Sequence, residues 1–304
     1  MIAHVLRAVS AATRCDDVAT WWPRHLELTA TWRNPMDRAI AGGFQADRVA
    51  WAFASGYQAA LHALFPDIPE DRICALCVTE ADGNTPRAIR STLRTAGGGW
   101  VLDGAKRWTT LGPNGALFFV AARDEAASGE RAAIRVAKVE SCARGVTVQP
   151  MAETRFVPEV PHAQLQFQGV QISADALLPG DGYEQYVKPF RTVEDAYVNA
   201  AVTAYLVREA RRLVWPHAWV ERAAAHLHVL RALAAGDASH PATHVALAGA
   251  LANAGALFDE ANAQWAKTPD DPAAPRWTRD RELFGTAGKA RALRTQRAWE
   301  KLAG

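Results

Sequence analysis

Apolar residues recur at three- and four-residue intervals between Asp47 and Phe65, at Val49, Phe53, Tyr57, Leu61 and Leu64, which predicts an amphipathic helix. The first seventy residues read as largely helical. PDIPEDR, Pro66 to Arg72, breaks that period. Beyond it, short β-branched or apolar runs alternate with Gly, Asn and Asp: ICALCV, STLRTA, GWVLDG, ALFFVAA, AAIRVAKV, GVTVQP and AQLQFQGVQI. Such closely spaced strands, with no helix-length pattern between them, predict an antiparallel barrel or sandwich rather than a doubly wound nucleotide fold. After LLPGDGY the helical period returns over residues 190–213, 216–235, 240–267 and 279–302, a helical bundle, with the Pro-rich TPDDPAAPRW as an exposed connection. The expected fold class is α+β multidomain. A short N-terminal helical segment (1–70) precedes a middle β domain (71–180) and a C-terminal helical bundle (181–304).

Composition narrows the function classes. The 304 residues carry 34 Lys and Arg against 32 Asp and Glu, a net charge of +2 with no basic block, which argues against a nucleic-acid partner. Hydrophobic residues at 49% and charged ones at 22% exclude disorder as the main state. The longest weakly apolar stretch, VALAGALANAGALF from Val245, is short and interrupted by Asn253, so no membrane span is expected. Four cysteines (Cys15, Cys74, Cys77, Cys142) are too few for a disulfide framework, and the opening residues lack a signal-peptide pattern; a cytoplasmic location is expected. Cys74 and Cys77 form a C-x-x-C, but on a strand residues three apart face opposite ways, so both read as core cysteines.

No isolated motif names a reaction. GGGW (Gly97 to Trp100) lies between two strands and reads as a hairpin turn, not a phosphate loop. His240 and His244 are one helical turn apart but lack a third ligand, so they read as capping or surface residues, and His217, His226 and His228 read similarly; no metal is expected. Carboxylates near a change of element are the stronger candidates: Glu80, and the pair Glu194 and Asp195.

Residues 76–125, LCVTEADGNTPRAIRSTLRTAGGGWVLDGAKRWTTLGPNGALFFVAARDE, resemble the middle domain of acyl-CoA dehydrogenases in the C-V-T-E strand end, the G-x-K-x-W-x-T segment and their spacing. QLQFQGVQISADALLPGDGYE, from Gln164, is similar to the stretch by which that family passes from β domain to C-terminal bundle. The resemblance implies an FAD cofactor contacted by Leu76, Thr79, Asn84, Thr85, Trp108 and Thr110, and α,β-dehydrogenation of an acyl thioester of the acyl-CoA type. The alternative for these residues is that Trp108 is core and Thr79 and Thr110 are ordinary strand threonines. In branches of the family whose base opens a C-terminal-domain helix, alignment with VEDAYVNAAVTAYL implies Glu194 as the catalytic base. Thr192, Glu194 and Asp195 also read as a helix N-terminus, a capping hydroxyl followed by carboxylates.

Departures from the family pattern support a second reading. The flavin loop is A-D-G-N-T-P, with its proline at position 86. The family's Arg followed by Phe-Gly has no clear counterpart, since Phe284-Gly285 lies too late, and its Gln-rich Gly-Gly segment has none. The position after the base, often Arg in the family, is Asp195, whose charge opposes the phosphates of CoA. These losses suggest a degenerate homologue without flavin that serves as a binding or partner subunit. A third reading is a flavoenzyme of the same scaffold acting on a nitro compound or an aromatic. Trp215, Trp219, Trp265 and Trp299 on the late helices predict self-association as a homodimer or homotetramer.

Overall fold

The structure, a computed structural model, describes residues 1–7, 12–65, 67–127 and 133–304. It contains two compact units. One comprises Met1–Pro66, Thr154–Glu159 and Arg191–Gly304; the other comprises Asp67–Glu153 and Val160–Phe190.

The first unit is helical. It opens with α1 (Ile2–Arg7), α2 (Val18–Thr29), α3 (Pro35–Gln45) and α4 (Val49–Leu64). Asp17 and Thr20 start α2 as a capping box: Asp17 Oδ1 accepts the Thr20 amide at 2.8 Å and the Thr20 hydroxyl accepts the Asp17 amide, an arrangement worth about 1 kcal/mol. Asn34 caps α3 by accepting the Met36 amide at 2.9 Å, and Pro35 in the first turn has no amide to satisfy. The amphipathic helix expected over 47–65 is α4, but every residue from Val49 to Leu61 is buried. The predicted stripe is buried as far as Leu61, and so is Trp51 on the other side of the helix. Small residues such as Ala52, Ser55 and Gly56 off the stripe let neighbouring helices close on the rest of the helix as well.

One such neighbour is α5 (Lys188–Arg212). A Cβ on Gly43 of α3 would fall 2.0 Å from the Ala201 carbonyl oxygen, so α3 and α5 meet backbone to backbone there. The bundle continues with α6 (His217–Ala234) and α7 (Pro241–Trp265). Three of the four tryptophans expected at an interface are instead core. Trp215 stands edge-on to Trp219 and Trp265 with ring centroids 5.1 and 5.3 Å away, and all three are buried; only Trp299 is exposed, at 58%. Large rings fill the space between α6 and α7 that small helix residues such as Ala leave.

Two sequence expectations fail at the C-terminal end. Part of the Pro-rich TPDDPAAPRW, expected as an exposed connection, is helical: α8 (Ala273–Asp280) buries Trp277, whose Nε1 donates to Asn262 Oδ1 at 2.6 Å. The single helix expected over 279–302 is broken by a 3₁₀ turn at Arg281–Gly285, and α9 runs only from Gly288 to Leu302. Glycines at 285 and 288 weaken the helix at that point. The short segment Thr154–Glu159 is tied into this unit by ion pairs of Glu159 with Arg48 and Arg279, and by the Val157 amide, which donates to buried Asp280 at 2.8 Å.

The second unit is one curled sheet. Its strands are β1 (Cys74–Cys77), β2 (Thr92–Ala96), β3 (Gly99–Thr110), β4 (Leu117–Asp124), β5 (Ile134–Glu140), β6 (Val146–Pro150) and β7 (His162–Ile172). All seven runs read from sequence are strands; Ala132 of the AAIRVAKV run, and Pro66 of the PDIPEDR breaker, lie outside the described residues. The order is β1-β4-β2-β3-β7-β6, with β5 on β4. Most pairs are antiparallel, but β1 and β2 both pair parallel with β4, at Leu117–Val120 and Arg123–Asp124. They share the edge that β5 leaves free, and β1 reaches it through a long crossover. GGGW forms the β2–β3 hairpin, with Gly97 and Gly98 at φ +57° and +83° as a primed turn demands. The inner face buries Ala75, Cys77, Leu93, Leu102, Phe118, Val120, Leu165 and Phe167 among others.

Candidate active site

The C-V-T-E and G-x-K-x-W-x-T segments form one connected structure. Glu80, three residues past the end of β1, is buried, and its carboxylate accepts four hydrogen bonds. Lys106 Nζ donates to Oε1 at 2.5 Å, the Ser91 hydroxyl and amide donate to Oε1 at 2.8 and 3.1 Å, and the Arg90 amide donates to Oε2 at 2.7 Å. Lys106 is wholly buried. Burial alone would raise the Glu80 carboxyl, but the Lys106 charge and these hydrogen bonds hold it below the usual carboxylate range. Glu80 is therefore an ionised staple that closes the loop from Ala81 to Arg90 and ties it to β3. Gly104, at φ +140°, makes the staple possible: a Cβ there would lie 2.4 Å from Ser91 Oγ.

Two residues beyond Lys106, the strand bulges. β3 pairs with β7 at Lys106↔Leu165 and again at Thr109↔Ala163, so three steps on β3 oppose two on β7. Trp108 sits in that bulge with φ +57° and is 49% exposed. Its amide donates to Met151 Sδ at 3.4 Å, and its ring stands edge-on to His162 at 6.0 Å. A non-glycine residue in the left-handed region costs about 1–2 kcal/mol, and here the distortion turns a large aromatic ring outward. The reading of Trp108 as core is thereby overturned. The amide of Arg107 donates to the Thr79 carbonyl at 2.8 Å, so Thr79 lies beside the bulge. Thr110 ends β3 opposite His162, and Leu76 lies on β1; these two and Thr79 are partly buried. Asn84 and Thr85 are on the exposed part of the stapled loop. All six residues matched to the flavin contacts thus belong to this unit, on two strand ends and the loop between.

Glu194 belongs to the helical unit, and its competing explanation fails. The helix does not begin at Thr192. Asp181 caps its approach by accepting the Tyr183 and Glu184 amides at 2.8 and 2.9 Å, a π-helical turn follows at Tyr183–Val187, and α5 is already running at Lys188. Thr192 is buried inside the helix, and Glu194 is past its first turn. The cap lies eleven residues before Thr192, at Asp181. Glu194 is partly buried, and its carboxylate accepts no hydrogen bond among the described residues. Burial pushes it up to about 7; Asp195 acts in the same direction, while Arg291 and Arg191 oppose it.

Asp195 is not the bare acid its position suggests. Arg291 Nη2 and Arg294 Nη2 donate to its two oxygens at 2.7 Å each, both from α9. Sequence reading missed these arginines because they lie 96 and 99 residues away, with no local pattern to link them. One turn after Glu194, Tyr197 helps line a cavity of about 400 Å³ with Asn34, Met36, His228 and Arg231.

Other candidates resolve as structural. His240 caps α7 by accepting the Ala242 amide at 3.1 Å, and His244 Nε2 lies 2.9 Å from the Ala238 carbonyl. Cys74 and Cys77 are both buried, and burial pushes each thiol up to about 12. Among the described residues no cluster of His, Cys, Asp and Glu could hold a metal ion. Among them, too, no helix is long and apolar enough to cross a membrane.

Comparison with known proteins identifies the middle domain and the fold. Residues 75–170 match the model of the acyl-CoA dehydrogenase middle domain. Benzylmalonyl-CoA dehydrogenase of Aromatoleum aromaticum is 31% identical over 105 residues, 34% of this chain; the match spans just over a quarter of that relative, 27%. Glutaryl-CoA dehydrogenase from Mycobacterium smegmatis shares the fold with a TM-score of 0.68 at 14% identity, covering 98% of this chain and 92% of that one. Butyryl-CoA dehydrogenase from Megasphaera elsdenii gives 0.68 at 13% identity, over 87% and 80%. Residues 75–170 are thus an acyl-CoA dehydrogenase middle domain, and set between N-terminal helices and a C-terminal bundle they give the chain the fold of the acyl-CoA dehydrogenases.

Proposed function

We propose that the protein is an FAD-dependent oxidoreductase that removes hydrogen from the α and β carbons of an acyl thioester, with a CoA-type ester as substrate. The observation that carries this is Trp108: a large ring half exposed on a strained bulge, beside the stapled loop and Thr79. A backbone held in a strained conformation that turns a large side chain outward points to a functional role for it. The residues present fit a flavin: Trp108 offers an aromatic wall, and Thr79, Thr85 and Thr110 offer hydroxyls, with Leu76 and Asn84 beside them. A bound FAD would supply the acceptor for the β-hydride. Glu194 would take the α-proton, and a carboxyl titrating near 7 suits a base working at neutral pH. The names of the relatives, dehydrogenases of benzylmalonyl-, glutaryl- and butyryl-CoA, support a thioester substrate. Self-association as a homodimer or homotetramer belongs to the same proposal, with exposed Trp299 as its remaining aromatic candidate.

The test is the visible absorbance of purified protein, repeated after incubation with FAD and desalting, followed by anaerobic titration with acyl-CoAs. Retained flavin that bleaches with a thioester, and a Glu194→Gln variant that keeps flavin but does not bleach, are the expected results. Protein that refuses FAD refutes the proposal and returns the function to a partner subunit. Flavin that bleaches only with a non-thioester would move the substrate class.

A further inference from the structure

The charge arrangement around Glu194 carries an inference that rests on the reading of that residue as a base. In this chain the base is followed by Asp195 where the family often has Arg. Arg291 and Arg294 compensate from α9, and their contacts follow a pattern. Arg291 Nε and Nη2 hold Asp195 Oδ1 at 3.0 and 2.7 Å, while its Nη1 is braced by the Phe284 carbonyl at 2.8 Å. Arg294 Nη2 holds Asp195 Oδ2 at 2.7 Å, and its Nη1 reaches the Arg191 carbonyl at 3.2 Å and Thr192 Oγ1 at 3.4 Å. The two guanidiniums therefore grip α5 at 191, 192 and 195, on both sides of Glu194, and hydrogen-bond none of its atoms.

We propose that Arg291 and Arg294 are positioning residues for Glu194: the α9 clamp consumes the neighbouring carboxylate and fixes the helical turn, leaving Glu194 as the open carboxylate of that turn. Two chemical consequences follow. The clamp neutralises a like charge that would otherwise drive Glu194 to stay protonated at neutral pH. It also places a cation near Glu194 without a hydrogen bond that would occupy its lone pairs. The charged groups that act on Glu194 are Asp195 and Arg191 from α5 and Arg291 from α9; among the described residues none from α3 or α4 does.

The test reads the proton on Glu194 directly and needs neither flavin nor substrate. The full chain, labelled with carboxyl-¹³C glutamate, is titrated by NMR, and Glu194→Gln assigns the signal. Arg291→Met should raise the Glu194 midpoint by about one pH unit, Arg294→Met, which acts only through its hold on Asp195, should raise it by less, and Asp195→Asn should lower it by about one unit. Arg294→Lys should restore most of the parent value. A Glu194 midpoint that is unmoved in folded Arg291→Met and Asp195→Asn proteins overturns the proposal. Asp195→Asn is nearly isosteric, so it decides the matter even if an arginine variant fails to fold. Shifts of the expected sign in a protein that never oxidises a thioester would uphold the clamp and sink the dehydrogenase reading.

Discussion

Replacing Lys106 with methionine tests the staple that holds the candidate flavin surface. The ammonium is wholly buried and the Glu80 side chain is 7% exposed, so neither charge is screened by water. Removing one partner of such a pair costs about 3–5 kcal/mol, because the other is left charged in a poor solvent. Glu80 would keep its amide donors from Arg90 and Ser91 and the Ser91 hydroxyl, which places the loss near the lower bound, about 3 kcal/mol. Glu80→Gln should cost at least as much, since Lys106 would retain only a neutral amide and the Val78 carbonyl at 3.4 Å. Removing both charges should cost no more than the worse single change, a coupling of about 3 kcal/mol. The assay is urea unfolding of the four proteins, with hydrogen exchange at the Arg90 and Ser91 amides as the local reporter. The sign of the pH effect follows from the lowered Glu80 carboxyl. Its stabilisation is complete above the ordinary carboxylate range and is lost as pH falls through the folded value. The methionine variant should lose stability at a higher pH than the parent. A loss below about 1 kcal/mol, or strictly additive effects, would refute the staple as described.

Trp108→Gly should leave stability unchanged or raise it by about 1 kcal/mol, because glycine tolerates φ +57°, while FAD retention falls; a large drop in melting temperature would mean the ring is structural. With Cys142 exposed and Cys15, Cys74 and Cys77 buried, one thiol per chain should react quickly with a disulfide reagent at pH 8, and rapid labelling of all four would contradict the burial. Val157 is a β-branched residue at φ +43° whose amide depends on Asp280. Asp280→Ala should therefore cost about 2–4 kcal/mol, read by chemical denaturation, and a loss below about 1 kcal/mol would mean the amide has another partner. Glu194 adds a pH effect of opposite sign to Glu80. Its raised carboxyl costs stability as pH rises from the ordinary value of 4.5 toward 7, so Glu194→Gln should flatten the stability profile over that window.

The strands were legible because a half-buried sheet writes its period into adjacent residues, as in ALFFVAA and AQLQFQGVQI. The parallel pairing of β1 and β2 with β4 was not, since alternation records which face is buried and says nothing of neighbour direction. Composition misled at TPDDPAAPRW, where prolines that sit before and within the first turn of α8 start a helix instead of ending one. The Trp108 position was legible only through a family resemblance, because a bulge depends on the register of β7. The Glu194 turn shows a further limit. Its acidic pair looked like a cap because Thr192 precedes it, and only the distant α9 arginines reveal what Asp195 does.

The interleaving of the two units along the chain bears on synthesis. The sheet unit has all its residues once Phe190 has emerged, whereas the helical unit must wait for Arg191–Gly304. At ribosomal rates of about 5–20 residues per second, the 114 residues take roughly 6–23 s. Until α5 and the helices after it have followed, α1–α4 lack partners such as the α5 backbone that Gly43 meets, so the nascent N-terminal helices are the segment a chaperone would meet first.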